Sequence, residues 1–133
     1  MTVLEEGVKA YIEAQVTAAG KGYPIEVPVD ADFPAWSFET LSDEQQLSHQ
    51  GAMGYYQARL ELLFMAQETA SVSAYGVVKG IAASVRAKLD GYKGMMGSAV
   101  SVKFCRTTLD DEWADIHKLP VQRFDVVIHY RLI

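Results

Sequence analysis

Tyr56-Gln57-Ala58-Arg59-Leu60-Glu61-Leu62-Leu63-Phe64-Met65-Ala66-Gln67 is the stretch that decides the fold class. Tyr56, Ala58, Leu60, Leu62, Phe64 and Ala66 alternate with Gln57, Arg59, Glu61, Leu63, Met65 and Gln67. Period two is the mark of a β-strand, because successive side chains leave opposite sides of the pleat. The first set is an unbroken core face. The second is polar at its start and apolar at Leu63 and Met65, so its end is expected to be covered by something else.

Downstream, Val78, Ile81, Ala82, Val85 and Leu89 recur at i, i+3, i+4, i+7 and i+11. That spacing predicts a helix, capped by Thr69 or Ser71, that runs to Asp90 and stops at Gly91. Gly76 and Gly80 lower its propensity, and close packing against the sheet or a partner is the expected reason. Lys93–Gly97 reads as a turn carrying Met95 and Met96. Two more strands follow: Ala99–Arg106, with Val100, Val102 and Phe104 on one side, and Gln122–Leu132. In the last, Phe124, Val126, Ile128, Tyr130 and Leu132 face inward, while Arg123, Asp125, His129 and Arg131 face outward, with Val127 the exception.

Upstream, Leu4, Val8, Tyr11, Ile12 and Val16 form one stripe of an amphipathic helix over residues 1–19, with Thr2 and Glu5 as a capping box and Gly20 at its end. Gly22, Pro24, Pro28 and Pro34 make 21–34 an extended connector, in which Ile25–Val29 pairs briefly along a sheet edge. Ala35–Leu41 reads as a strand with Trp36 and Phe38 on one face. Residues 42–54 read as a long loop or an extended hairpin tip, and 107–120 as an acidic loop holding Trp113. The expected architecture is α+β: a mostly antiparallel sheet of four to five strands, two helices on one face, order α-β-β-α-β-β. The 133 residues make one domain.

Composition narrows the function classes. Half of the residues are hydrophobic, enough for a core without disulfides or a structural metal, and the single Cys105 lies in an apolar run where an inert, buried or half-buried thiol is expected. Seventeen acidic against twelve basic residues give a net charge of −5, with the basic ones scattered singly, which argues against a general nucleic-acid binder. Glu5 and Glu6 stand where a signal peptide is positively charged, and no apolar run is long enough to span a bilayer, so cytoplasmic synthesis without a membrane is expected.

No catalytic constellation emerges. His49, His117 and His129 fit no metal-ligand spacing. Asp110, Asp111, Glu112, Asp115 and His117 share one loop but lack the calcium-loop pattern, and read as a solvated acidic loop. Gly91, Gly94 and Gly97 lead from helix to strand, the reverse of a phosphate-binding loop. No nucleophile–base pair is visible. The expectation is therefore no enzyme, no cofactor and no metal. What lacks a berth is apolar material beside the two long polar segments: Leu47, Met53, Met95, Met96 and Trp113. Self-association is the economical reason.

The ordered features resemble the tail-completion, or tail-terminator, family of long-tailed bacteriophages and phage-like particles. The likeness runs over the whole chain: the capped helix around Leu4-Glu5-Glu6-Gly7-Val8, the strand bearing Trp36-Ser37-Phe38, the strand at Tyr56-Gln57-Ala58-Arg59-Leu60, an Ala-rich helix closing with Leu89-Asp90-Gly91-Tyr92-Lys93-Gly94, and the strand Arg123-Phe124-Asp125-Val126-Val127-Ile128-His129-Tyr130-Arg131. Residues 42–54 depart from the family pattern.

The resemblance implies a structural virion protein, assembled in the bacterial cytoplasm, that forms a six-fold homo-oligomeric ring on the head-proximal end of the tail tube. It would end polymerisation of the tube protein and join the tail to the head-tail connector proteins. DNA would pass through without sequence-specific binding, which an acidic lumen suits. Leu47, Met53, Met95, Met96, Asp110, Asp111, Glu112, Trp113 and Asp115 are the interface candidates. A head-tail connector or adaptor, or a small ligand-binding or enzymatic α+β domain, are the alternatives.

Overall fold

The computed structural model describes residues 2–28, 30–48, 51–67, 73–108, 113–116 and 119–133. In chain order they form α1 (Val3–Gln15), a short 3-10 helix (Thr17–Ala19), β1 (Lys21–Pro24), β2 (Ala35–Ser48), β3 (Gly51–Met65), α2 (Ala74–Leu89), β4 (Gly94–Met96), β5 (Val100–Thr108), β6 (Trp113–Ile116) and β7 (Leu119–Leu132). Thr2 caps α1 as expected: its hydroxyl accepts from the Glu5 N–H and the Glu5 carboxylate accepts from the Thr2 N–H. Ser73 caps α2 by accepting from the Gly76 N–H. Thr69 and Ser71 lie outside the described residues.

The strands run in the order β1-β2-β3-β7-β5-β4, with β6 paired to β7 off that path. β1 pairs parallel with β2, and all the other pairs are antiparallel. The sheet is mixed and curls as a half-barrel, which corrects the expected four to five mostly antiparallel strands in the order α-β-β-α-β-β. The three strands that reading lacked are short pieces of segments read as connector, turn and loop. β1 comes from the Pro-rich connector, at Lys21–Pro24 and not at the expected Ile25–Val29, and β4 from the glycine turn, while β6 comes from the acidic segment. Three or four residues are too few to display a period. Register shifts at Thr40/Ser42, Gln45/Leu47 and Val102/Phe104 break the ladders, and bulges of this kind bend and twist a strand.

One core joins both helices to one sheet face. Leu60, Leu62, Phe64, Val78, Ile81, Val85, Phe124, Val126 and Ile128 all belong to it, with Trp36, Phe38, Leu4, Val8 and Ile12. Trp36, Phe64 and Phe124 stack across β2, β3 and β7 with centroids 5.9 and 5.5 Å apart, and the Trp36 indole N–H donates to the Gly20 carbonyl. Gly7 packs closely: a Cβ there would lie 2.7 Å from the Met96 carbonyl oxygen, whereas one at Gly80 would meet open space. The expected close packing at Gly80 is therefore not found. The bulge at Lys103 turns Phe104 to the opposite face, half-exposed, and Cys105 into the core, which corrects the alternation read from sequence.

Candidate functional site

The far face of the sheet carries no helix among the described residues. At one end it is covered by the connector: Val27, Ala35, Met65 and Val121 are buried there, with Phe33 and Leu63 packed against them. This is the cover that the apolar end of the Tyr56–Gln67 stretch demanded. Beyond it the register sets charged residues in rows. Glu39, Glu61, Asp125 and Thr108 lie side by side across β2, β3, β7 and β5. The next row is Ser42, Arg59, Val127 and Arg106. Arg59 joins the rows, donating twice to Asp125 Oδ2 at 2.6 and 3.0 Å, and Arg123 pairs with Glu61 at 3.0 Å. Asp125 is buried and its second oxygen has no hydrogen-bond partner among the described residues.

The two lateral edges differ in charge. On one side β1 covers only Ala35–Phe38 of β2, and the Ile25 N–H reaches the Phe38 carbonyl. No described strand pairs with β2 beyond that point on this side, so its edge from Glu39 onward is open. It carries exposed Glu39, Asp43 and Glu44 around the exposed Leu41. The Asp43 carboxylate also accepts from the Tyr130 hydroxyl at 2.7 Å; burial, and then that carboxylate, push the phenol well above its usual range. On the other side, Lys93, Lys103 and Arg131 line a cleft of about 260 Å³ with Tyr55, Ser101 and Val102. The Lys103 ammonium sits 4.7 Å from the centre of the Tyr55 ring. Exposed Met95 and Phe104 flank the cleft.

The segment read as a loop or hairpin tip at 42–54 is the continuation of β2 and β3. Their pairing runs on to Ser48–Gly51, while β7 leaves β3 at Tyr55–Arg131. The hairpin therefore projects past the sheet over Gly51–Gly54, roughly 13 Å at about 3.3 Å per residue.

The fold has a counterpart in a particle. A chain from the structure titled "Virion of native gene transfer agent (GTA) particle" superposes with a TM-score of 0.56 at 14% identity, covering 99% of this chain and 98% of that one. At that identity the likeness is one of fold. No protein-family model matches the chain, nor does any curated protein.

The interface candidates are placed unevenly. Leu47 and Met53 lie on the projecting hairpin, and Trp113 and Asp115 lie on β6, paired with Gln122 and Pro120; for these four only the backbone register is described. Asp110, Asp111 and Glu112 lie outside the described residues, as do His49 and His117. Met95 is exposed. Met96 is fully buried beneath α1, against Gly7, and offers nothing to a partner. The basic cleft had no sequence signal, because Lys93, Lys103 and Arg131 meet only through the pairing of β4, β5 and β7.

Chemically the described residues offer little. No three His, Cys, Asp or Glu among them are grouped to hold a metal ion. Cys105 is fully buried, and burial pushes its thiol up to about 12, the reverse of nucleophile activation. No described helix is long and apolar enough to cross a membrane.

Proposed function

We propose that this chain is a non-catalytic structural protein of a phage-like particle that caps the head-proximal end of the tail tube as a ring, stops tube growth and joins the tail to the head connector. The observation that carries the proposal is the end-to-end match in fold to a chain of a gene transfer agent virion. The projecting hairpin and the sheet edges of opposite sign suit a subunit whose working surfaces are contacts with other proteins. Rings arise when two different patches of one subunit are complementary and the rotation closes. In this reading the ring is six-fold and the tube protein and head connector lie on its two faces. DNA passes through without base-specific contacts, in keeping with a chain of net charge −5.

The test is removal of the gene from the cell that produces the particle, followed by electron microscopy. Tails of uncontrolled length that fail to join heads are the expected result. Tails of normal length that cannot attach to heads would favour the connector reading, and normal complete particles would overturn both.

A further inference from the structure

The geometry points to a specific contact between two copies of this chain: the open acidic edge of β2 on one copy docks head-to-tail against the basic cleft beside β4 and β5 on the next. The contact rests on the ring reading for its closure, though the pairing itself is testable in solution.

Three observations converge. First, the two patches lie on opposite sides of the sheet and meet in level at Glu44, the hairpin-side end of the acidic edge. Glu44 is level with Gln57, His129 and Phe104 across four adjacent strands, and Met95 is level with Ser101, Arg131 and Tyr55, two residues further toward the hairpin. A lateral shift of one copy therefore brings Glu44 to the level of Phe104 and the adjoining Lys103. Second, the charges oppose. Glu39, Asp43 and Glu44 are exposed on one side, and Lys93, Lys103 and Arg131 are exposed on the other with no carboxylate partner among the described residues. Third, each patch has an exposed apolar centre, Leu41 on the acidic side and Met95 with Phe104 on the basic side. An apolar centre rimmed by charge is the usual anatomy of a protein contact, with the charges supplying orientation.

Long open edges are usually blunted against unwanted pairing. Here the bulges at Thr40/Ser42 and Gln45/Leu47 and the flanking carboxylates prevent indiscriminate strand addition. They still leave the edge available to a basic partner. A two-fold contact made through one edge alone is disfavoured, because it would set acidic edge against acidic edge or basic against basic. The interface is therefore heterologous, the kind that propagates into rings. Three isolated cations are also few for a nucleic-acid surface, which needs a stripe of them.

The test uses two single-cysteine additions, Glu44→Cys and Lys103→Cys, in the full-length chain, with buried Cys105 silent. Within one chain these positions are three strand spacings apart, roughly 14 Å, and cannot form a disulfide, which needs Cα atoms within about 7 Å. Mild oxidation of an equimolar mixture of the two variants should give the mixed dimer as the main product. The double variant should give a covalent ladder. Glu44→Lys and Lys103→Glu should each weaken association roughly tenfold or more, and mixing the two should restore it, since like charges set together in a contact are strongly unfavourable.

Only same-variant dimers, or no cross-link at all, would overturn the proposal. So would a Lys103→Glu variant that associates normally but loses retention on duplex DNA, which would make the cleft a phosphate contact. A mixed dimer together with normal particles after gene removal would leave this contact standing and overturn the tail-terminator reading. Failed tails without the mixed dimer would do the reverse.

Discussion

Along β3, Leu60, Leu62 and Phe64 point toward the helices and have no exposed surface, while Arg59 and Glu61, which alternate with them, belong to a face that no described helix covers. The two faces share a backbone, a register and a twist. One is held by aromatic stacking and apolar burial along its length, while the other has an apolar cluster at one end, under the connector, and ion pairs across the strands beyond it. Burial scales with apolar area and tolerates no void, whereas a partly exposed ion pair such as Arg123–Glu61 is screened and contributes little. The covered face therefore carries the stability, and the open face is left free to carry contacts.

Cys105 probes that division most sharply, because it lies on the covered face with no exposed surface. The folded chain should be inert to a disulfide reagent at neutral pH and react stoichiometrically once unfolded in denaturant; rapid reaction of the folded chain would mean that this face opens. Its raised folded value also sets a sign. The neutral thiol is favoured in the fold, so its contribution is complete below about 9 and is lost as pH rises toward about 12. Alkaline titration of a Cys105→Ala variant should show a shallower fall in stability over that range than the parent.

Phe64→Ala should cost about 3–5 kcal/mol in a denaturant titration, since the ring is fully buried between Trp36 and Phe124. A loss below about 1 kcal/mol would contradict the stacked core. Gly7→Ala and Gly80→Ala make a finer contrast. Both replace a helical glycine, but a Cβ at Gly7 would press on the Met96 backbone while one at Gly80 meets open space. Gly7→Ala should destabilise by about 1–3 kcal/mol, and Gly80→Ala should stabilise by about 0.5–1 kcal/mol. Equal shifts in melting temperature would show that α1 does not seat on the β4–β5 turn. The smallest effect belongs to the open face. A double-mutant cycle on Glu61 and Arg123, both partly exposed, should return a coupling of about 1 kcal/mol or less that shrinks with added salt.

Much of the covered face was legible beforehand because burial imposes a period. Nine core positions, from Leu60 to Ile128, follow from alternation on strands and the 3.6-residue repeat on a helix, and all nine share one cluster. Where the period was broken or too short, reading failed. Alternation alone puts Phe104 inward, since a bulge one residue earlier leaves no mark on composition, and it gives Met96 no buried place, since a turn and a three-residue strand are alike in sequence. For residues 42–54 the sequence leaves a long loop and an extended hairpin tip both open, and the pairing of β2 with β3 on to Ser48–Gly51 decides for the hairpin.

The helix cap at Thr2, the core set and the excess of acid over base were therefore determined by the chain itself, through local geometry and the need to bury apolar area. The mixed pairing of β1, the reach of the β2–β3 hairpin and the meeting of Lys93, Lys103 and Arg131 were decided only in three dimensions. These depend on which distant strands lie side by side, and strand register is set by the packing of the whole sheet, with no local signal for it along the chain.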